Sequence, residues 1–311
     1  IILLTFLWRL IMNRNLARIL LTSAGLIWGL GFIGNKFILD RGWPDSQLLF
    51  VRFLTATIII FLVFFKRIAK AEKHVIKSGL FLGIFLYLGF FFQTWGLDNT
   101  TASNNALITS GYIVMMPVIV YLFEKRKVGY QTVIAGLITV VGISLITVDF
   151  QELTIAFGDI LTFIGAMFYA FHIYFLGKQS KKVDLIALMA YQLLMFSVFA
   201  TIMMIVRGGM PHSLFETNQN ILLLLLAIGL GFFGSFLAFM LQSIGQKHTN
   251  ESEAAILIST ESVFGPIFAI LFYNDPFNLF LLFGMILVVI GIILSEVDID
   301  DLTTRRFKND R

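Results

Sequence analysis

The chain has no cysteine, five prolines and four histidines in 311 residues, and only 14% of its residues are charged. Each scarcity excludes something. Without Cys there can be no disulfide and no thiolate metal site, and four His are too few to make a buried metal centre a good reading. A soluble domain carries about 25% charged residues, so an ordinary soluble domain is excluded too. H-E-x-x-H, G-x-S-x-G and P-loop patterns are absent, and with them the hydrolase and nucleotide-driven mechanisms they carry. No enzyme activity, cofactor or metal is expected, and any energy must come from gradients or a partner. What the chain has in excess is apolar: 58% hydrophobic residues, 34 of the 311 being Phe. This is the composition of a polytopic membrane protein.

The two halves match when the chain is slid against itself by 149 residues. Residues 90–145 overlie residues 239–294 without a gap, with identities at Gln93/Gln242, Gly96/Gly245, Ser110/Ser259, Pro117/Pro266, Phe123/Phe272 and Gly142/Gly291. Lipid exposure alone would not place Gln, Gly and Pro in register. A span needs about 20 mostly apolar residues. Scanning on that basis predicts ten, at 16–37, 45–65, 77–97, 103–122, 128–148, 158–177, 185–207, 220–243, 252–273 and 277–295. Five spans per copy is an odd number, so the second copy must enter the bilayer upside down. The expected fold is therefore an all-α membrane protein: ten transmembrane helices as two inverted five-helix repeats around a central cavity. Residues 16–150 form the first repeat and 151–296 the second, flanked by a cytoplasmic N-terminal segment (1–15) and a cytoplasmic tail (297–311). Within the first segment, Met12-Asn13-Arg14-Asn15 reads like a natural start. Residues 1–11 then read as upstream translation or an expression scar; a signal peptide fits poorly, since Arg9 interrupts the short apolar run and no small-x-small site follows.

Lys and Arg favour cytoplasmic loops. Nineteen of the 23 basic residues fall in one alternate set of loops and the termini, including Arg18, Lys66, Arg67, Lys125, Arg126, Lys127, Lys178, Lys247 and Arg305; the opposite loops hold only Arg41 and Arg207. Both termini are expected in the cytoplasm. The net charge of +4 comes from these loops and is no nucleic-acid signal; the expected partner is the lipid bilayer.

Ionisable groups at membrane depth are costly and by default face a protein interior. Lys36, Arg52, His172 and Glu261 stand out. Lys36 either snorkels to the outer interface or faces the cavity. Arg52 reads as a buttress to helix-end carbonyls or a carboxylate, and His172 as either a satisfied packing residue or a cavity wall. Glu261, near the middle of span 9, is a candidate proton carrier, with a structural Glu–Arg pair as the competing role. In the repeat register its partner is Tyr112, so the halves are not chemically equivalent. Trp28, Gln93, Asn105, Tyr169, Gln242 and Ser259 supply the remaining polar and aromatic surface. Spans 1, 3, 4, 6, 8 and 9 are thus expected to wall the cavity, and the glycine-bearing spans 5 and 10 to be scaffold. Pro117 and Pro266, matched in spans 4 and 9, are expected to kink those helices for packing or gating.

These pieces resemble the drug/metabolite transporter superfamily, EamA type, over nearly all of residues 16–295. They are Leu26-Ile27-Trp28-Gly29 with Phe32, Phe50-Val51-Arg52-Phe53, Phe92-Gln93-Thr94-Trp95-Gly96-Leu97, Thr100-Thr101-Ala102, Met116-Pro117-Val118 with Glu124, Gly158-Asp159, Gln242, Glu261-Ser262-Val263-Phe264 and Asp275. The chain departs from the family pattern where Ser262 replaces Pro, Asp275 replaces Glu and Tyr169 replaces Trp. The resemblance implies export or exchange of amino acids or other small metabolites. The leading reading of the residues is a secondary carrier of small polar metabolites in a bacterial plasma membrane, working by alternating access, in which Lys36 and Arg52 give the outer half a positive field suited to a carboxylate and Glu261 binds an amine or a coupling proton. A multidrug exporter with a Phe-lined pocket, and a non-transporting scaffold or sensor, are the alternative readings.

Overall fold

The computed structural model describes residues 14–125, 130–149, 154–208, 217–249 and 251–296. Residues 1–13, the tail 297–311 and the basic residues Arg126, Lys127 and Arg305 lie outside these. Spans 1 to 3 are unbroken helices, Arg14–Leu39, Asp45–Ile68 and Lys73–Asp98. Span 4 is two helices, Ala102–Thr109 and Tyr112–Glu124, and span 5 is Tyr130–Thr147. A two-residue antiparallel ladder pairs Val148–Asp149 with Thr154–Ile155 between the halves. Spans 6 and 7 are Phe157–Ser180 and Leu185–Val206. Span 8 runs from Asn218–Leu230 through a π-helical stretch, Gly231–Leu237, into Ala238–Lys247. Span 9 is again two helices, Glu251–Ile258 and Glu261–Tyr273, and span 10 is Leu279–Glu296.

In hydrocarbon every backbone polar group must be paired within the segment, so apolar runs of this length become helices. Side chains mark several ends: Thr101 Oγ1 accepts from Asn104 N at 3.1 Å, and Asp184 Oδ1 from Ala187 N at 2.9 Å, each satisfying a free N-terminal amide. Eight of the spans are long and apolar enough to cross a membrane; spans 5 and 10 contribute shorter apolar stretches, Ile134–Leu145 and Leu279–Gly291. Leu62, Leu137, Leu225 and Phe272 stand exposed on the outside, as a lipid-facing surface requires.

The packing repeats with the sequence. Span 3 lies on spans 6 and 7, and span 8 on spans 1 and 2; span 4 meets span 6 as span 9 meets span 1. Spans 2 and 7, 4 and 9, and 5 and 10 meet each other. Each is the exchange expected of two halves related by a two-fold axis in the membrane plane. Glycines allow the closest approaches: a Cβ at Gly96 would lie 2.6 Å from Gly158 O, and one at its mate Gly245 would lie 3.0 Å from Ala17 O. Lys125 and Asn274, also 149 apart, end the matched helices with φ of 56° and 55°.

Spans 4 and 9 are indeed broken, but the break precedes each proline by six to seven residues, at Ser110-Gly111 and Ser259-Thr260. There the amides bond one residue short: Gly111 N to Ile108 O at 2.9 Å and Ser262 N to Ser259 O at 2.8 Å. Hydroxyls that bond back to the preceding turn bend helices, and Ser259 and Thr260 do so, to Ile256 O at 2.6 Å and Leu257 O at 2.8 Å.

Candidate functional site

Four residue pairs separated by 149 line one cavity between the repeats: Phe90 and Phe239, Gln93 and Gln242, Thr109 and Ile258, Tyr112 and Glu261. Symmetry mates share a cavity only if it lies on their axis. Tyr112 OH donates to Glu261 Oε1 at 3.2 Å, so this pair of mates meets at the axis itself. The helix breaks help to place it, because Tyr112 and Glu261 each begin the second half of their span. Partial positive charge at a helix N-terminus also favours a carboxylate there.

The cavity offers about 50 Å³ of water-accessible space, room for a few waters at about 10–15 Å³ each. Its aromatic walls repeat across the axis. Trp28 lies 5.0 Å from Phe239, and Tyr169 stands edge-on to Phe90 at 5.3 Å. Trp28 Nε1 donates to Gly234 O and Tyr169 OH donates to Gln93 Oε1, both at 2.8 Å. The amides differ between halves. Gln93 Nε2 also donates to Thr109 Oγ1 at 2.9 Å, whereas Gln242 Oε1 is buried without a partner. His172, 1% exposed, shares a 3.1 Å hydrogen bond with Gln192 Oε1 and meets Phe239 edge-on.

The charges sit apart from one another. Glu261 is 4% exposed, and Tyr112 is its side-chain partner. Arg52 is 1% exposed and donates from Nη1 to Asn35 Oδ1 at 2.9 Å. Its guanidinium lies 5.4 Å from the Phe90 ring centre, within reach of a cation–π attraction. Among the described residues no ion pair joins Arg52 to Glu261 or to any other carboxylate.

Of the residues singled out from sequence, Trp28, Gln93, Tyr112, Tyr169, His172, Gln242 and Glu261 come together here, and Arg52 joins them from span 2. Five others sit elsewhere. Lys36 is occupied at the far end of span 1, bonding Leu97 O and pairing with Asp40, each at 3.1 Å. Asn105 lies one layer behind, donating to Gln93 O at 3.1 Å and Thr162 Oγ1 at 2.6 Å. Ser259 is spent on the helix break, and Pro117 and Pro266 lie outside the lining. Sequence reasoning passed over Phe90, Phe239, Thr109 and Asn35. The repeat register was an available signal for the first three; for Asn35 there was none, since only its proximity to Arg52 gives it a role. Among the described residues no group of three His, Asp or Glu could hold a metal ion.

A sequence model of the EamA-like transporter family matches residues 15–148 and 156–296. The chain belongs to this family. The family's pairs of matched segments therefore coincide with the two five-helix halves around the cavity. An uncharacterized transporter of Archaeoglobus fulgidus is 31% identical over 285 residues, covering 92% of this chain and 87% of that protein. The uncharacterized transporter YoaV of Bacillus subtilis is 22% identical over 290 residues, covering 88% and 94%. A protein of known crystal structure shares the fold, with a TM-score of 0.68 at 16% identity over 95% of this chain and 99% of that one. The family match and these relatives make this EamA-like protein a multi-pass membrane transporter.

Proposed function

We propose that this EamA-like protein is a secondary carrier that exports small polar metabolites, foremost amino acids, across the plasma membrane by alternating access, with Glu261 carrying a coupling proton or receiving the substrate amine. The observation that carries this reading is Glu261 itself: a buried acid on the symmetry axis, inside the cavity, bonded to its own neutral repeat mate. A group on the axis is equally placed for either exit. Ionisable residues at such depth mark ion and substrate pathways.

Both exits are tied by contacts that can exchange. At the basic end Lys178 pairs with Glu124 at 2.7 Å, Lys181 with Glu251 at 3.3 Å and Arg18 with Glu253 at 2.6 Å. At the opposite end Tyr273 bonds Asp40, Asp275 accepts from Ser103, and Arg207 pairs with Asp45. The breaks in spans 4 and 9, together with Pro117 and Pro266, would serve as hinges. The positive-inside rule puts the basic end, and with it both termini, in the cytoplasm.

The test is counterflow of a labelled amino-acid mixture in proteoliposomes under imposed pH gradients. Flux that responds to the gradient in the parent and loses that response in Glu261→Gln is the expected outcome. Equal flux and equal pH response in both proteins would remove the coupling role, and no counterflow of any amino acid would remove the substrate class.

A further inference from the structure

The reading of the cavity as a transport site leaves one group unexplained, the guanidinium of Arg52. A buried cation is ordinarily matched by a carboxylate or fully hydrogen-bonded. Arg52 is neither: it is 1% exposed, Nη1 reaches the neutral amide oxygen of Asn35, and Nε is buried without a partner. It nevertheless lines the cavity. A buttress would spend its donors on helix-end carbonyls or an acid, whereas here Nε has no partner and the residue borders the space where cargo would sit.

The neighbouring span makes room for it. Span 8 is π-helical over Gly231–Leu237, a distortion frequent at functional sites; the corresponding span 3 is regular throughout. Two glycines of that stretch face Arg52. A Cβ at Gly234 would lie 3.3 Å from Nη2, and one at Gly231 would lie 2.7 Å from the Arg52 carbonyl oxygen. The aromatic faces of Phe90 and Phe53, 5.4 and 5.6 Å away, hold the cation without neutralising it.

Resting on the transport reading above, we infer that Arg52 is the anion-binding group of the cavity and that the cargo must bring a carboxylate to it. The guanidinium fork accepts a carboxylate through two parallel hydrogen bonds, and Nε with a terminal nitrogen is such an edge. A cargo bearing both a carboxylate and an amine would span from Arg52 to Glu261, and each of its charges would replace a missing counter-charge. Selection then acts on the carboxylate first and the amine second.

The experiment is calorimetric titration of the detergent-purified full chain and of Arg52→Gln with alanine, leucine and phenylalanine, and with the methyl ester, decarboxylated amine and deaminated acid of each. In the parent, at least one carboxylate-bearing compound should bind about tenfold or more tightly than its ester and amine, and Arg52→Gln should lose that preference. Deaminated acids binding as well as the amino acids would uphold Arg52 while removing the amine role of Glu261 and the amino-acid reading. Esters binding as well as acids, an unchanged preference in Arg52→Gln, or no binding by any carboxylate would overturn the inference. Thermal unfolding without ligand adds a readout that needs no cargo. An unmatched binding cation predicts that Arg52→Gln melts no lower than the parent, and a clear drop would return Arg52 to a buttress.

Discussion

The first repeat and the second share a frame and divide the chemistry. Gln93 has both ends of its amide bonded, to Tyr169 and Thr109, while Gln242 keeps an open carbonyl oxygen. Span 3 is a regular helix; span 8 carries the π-helical stretch beside Arg52. On the axis, the first repeat contributes a phenol and the second a carboxylic acid. Duplication supplies two matched helix breaks, but a site formed from identical halves would present the same group twice. The differences between the repeats give this cavity two chemically different ends, as the proposed polar cargo would require.

The most direct way to break this comparison is to exchange its two axial groups one at a time. Glu261→Gln is expected to lower gradient-driven flux about a hundredfold, the scale on which a positioned acid or base acts, and Tyr112→Phe only severalfold. Proteoliposome flux checks both, and a Tyr112→Phe defect as large as that of Glu261→Gln would mean that the pair acts as one symmetric unit. The shared frame can be broken equally from either side. Gly96→Val and Gly245→Val should each cost about 1–3 kcal/mol by overpacking, because their Cβ atoms meet spans 6 and 1. Gly229, with nothing within 4 Å of its Cβ position, should tolerate Ala and gain up to about 1 kcal/mol. Thermal unfolding in detergent reads all three.

A sharper probe of the asymmetry is Gly234→Ala, which crowds Arg52 at 3.3 Å. Flux should fall severalfold while stability changes by no more than about 1 kcal/mol. The smallest effect is expected at the basic end. Lys178→Met removes a one-third-exposed ion pair with Glu124 and should shift stability by less than about 1 kcal/mol; a larger loss would show that this exit is held far more firmly than its exposure suggests.

Much of the frame was legible in the residues. The ten apolar runs became the ten spans to within a few residues at most ends, because a chain in hydrocarbon has few ways to pair its backbone. Glu261 and Tyr112 were legible as repeat mates, and their meeting follows once the halves are related by a two-fold axis. The helix breaks were harder. Pro117 and Pro266 drew attention to the right spans, yet the distortion centres on Ser110-Gly111 and Ser259-Thr260, where the turns tighten and, in span 9, hydroxyls bond back to the preceding turn. Lys36 read as either an interfacial or a cavity cation, and only the distances to Asp40 and Leu97 O show it engaged at the end of its helix. Asn105 and Ser259 have cavity-like chemistry but face a neighbouring helix and their own backbone.

By itself, then, the sequence determined that this chain is helical, spans a membrane and is built twice, since hydropathy, loop charge and a 149-residue offset are local or one-dimensional properties. The tertiary structure decided which polar groups meet. One residue turns a helix by about 100°, and a π-helical stretch alters that turn again. Whether Asn35 reaches Arg52, or Gln242 is left open while Gln93 is closed, depends on rotations and helix contacts that no single segment encodes.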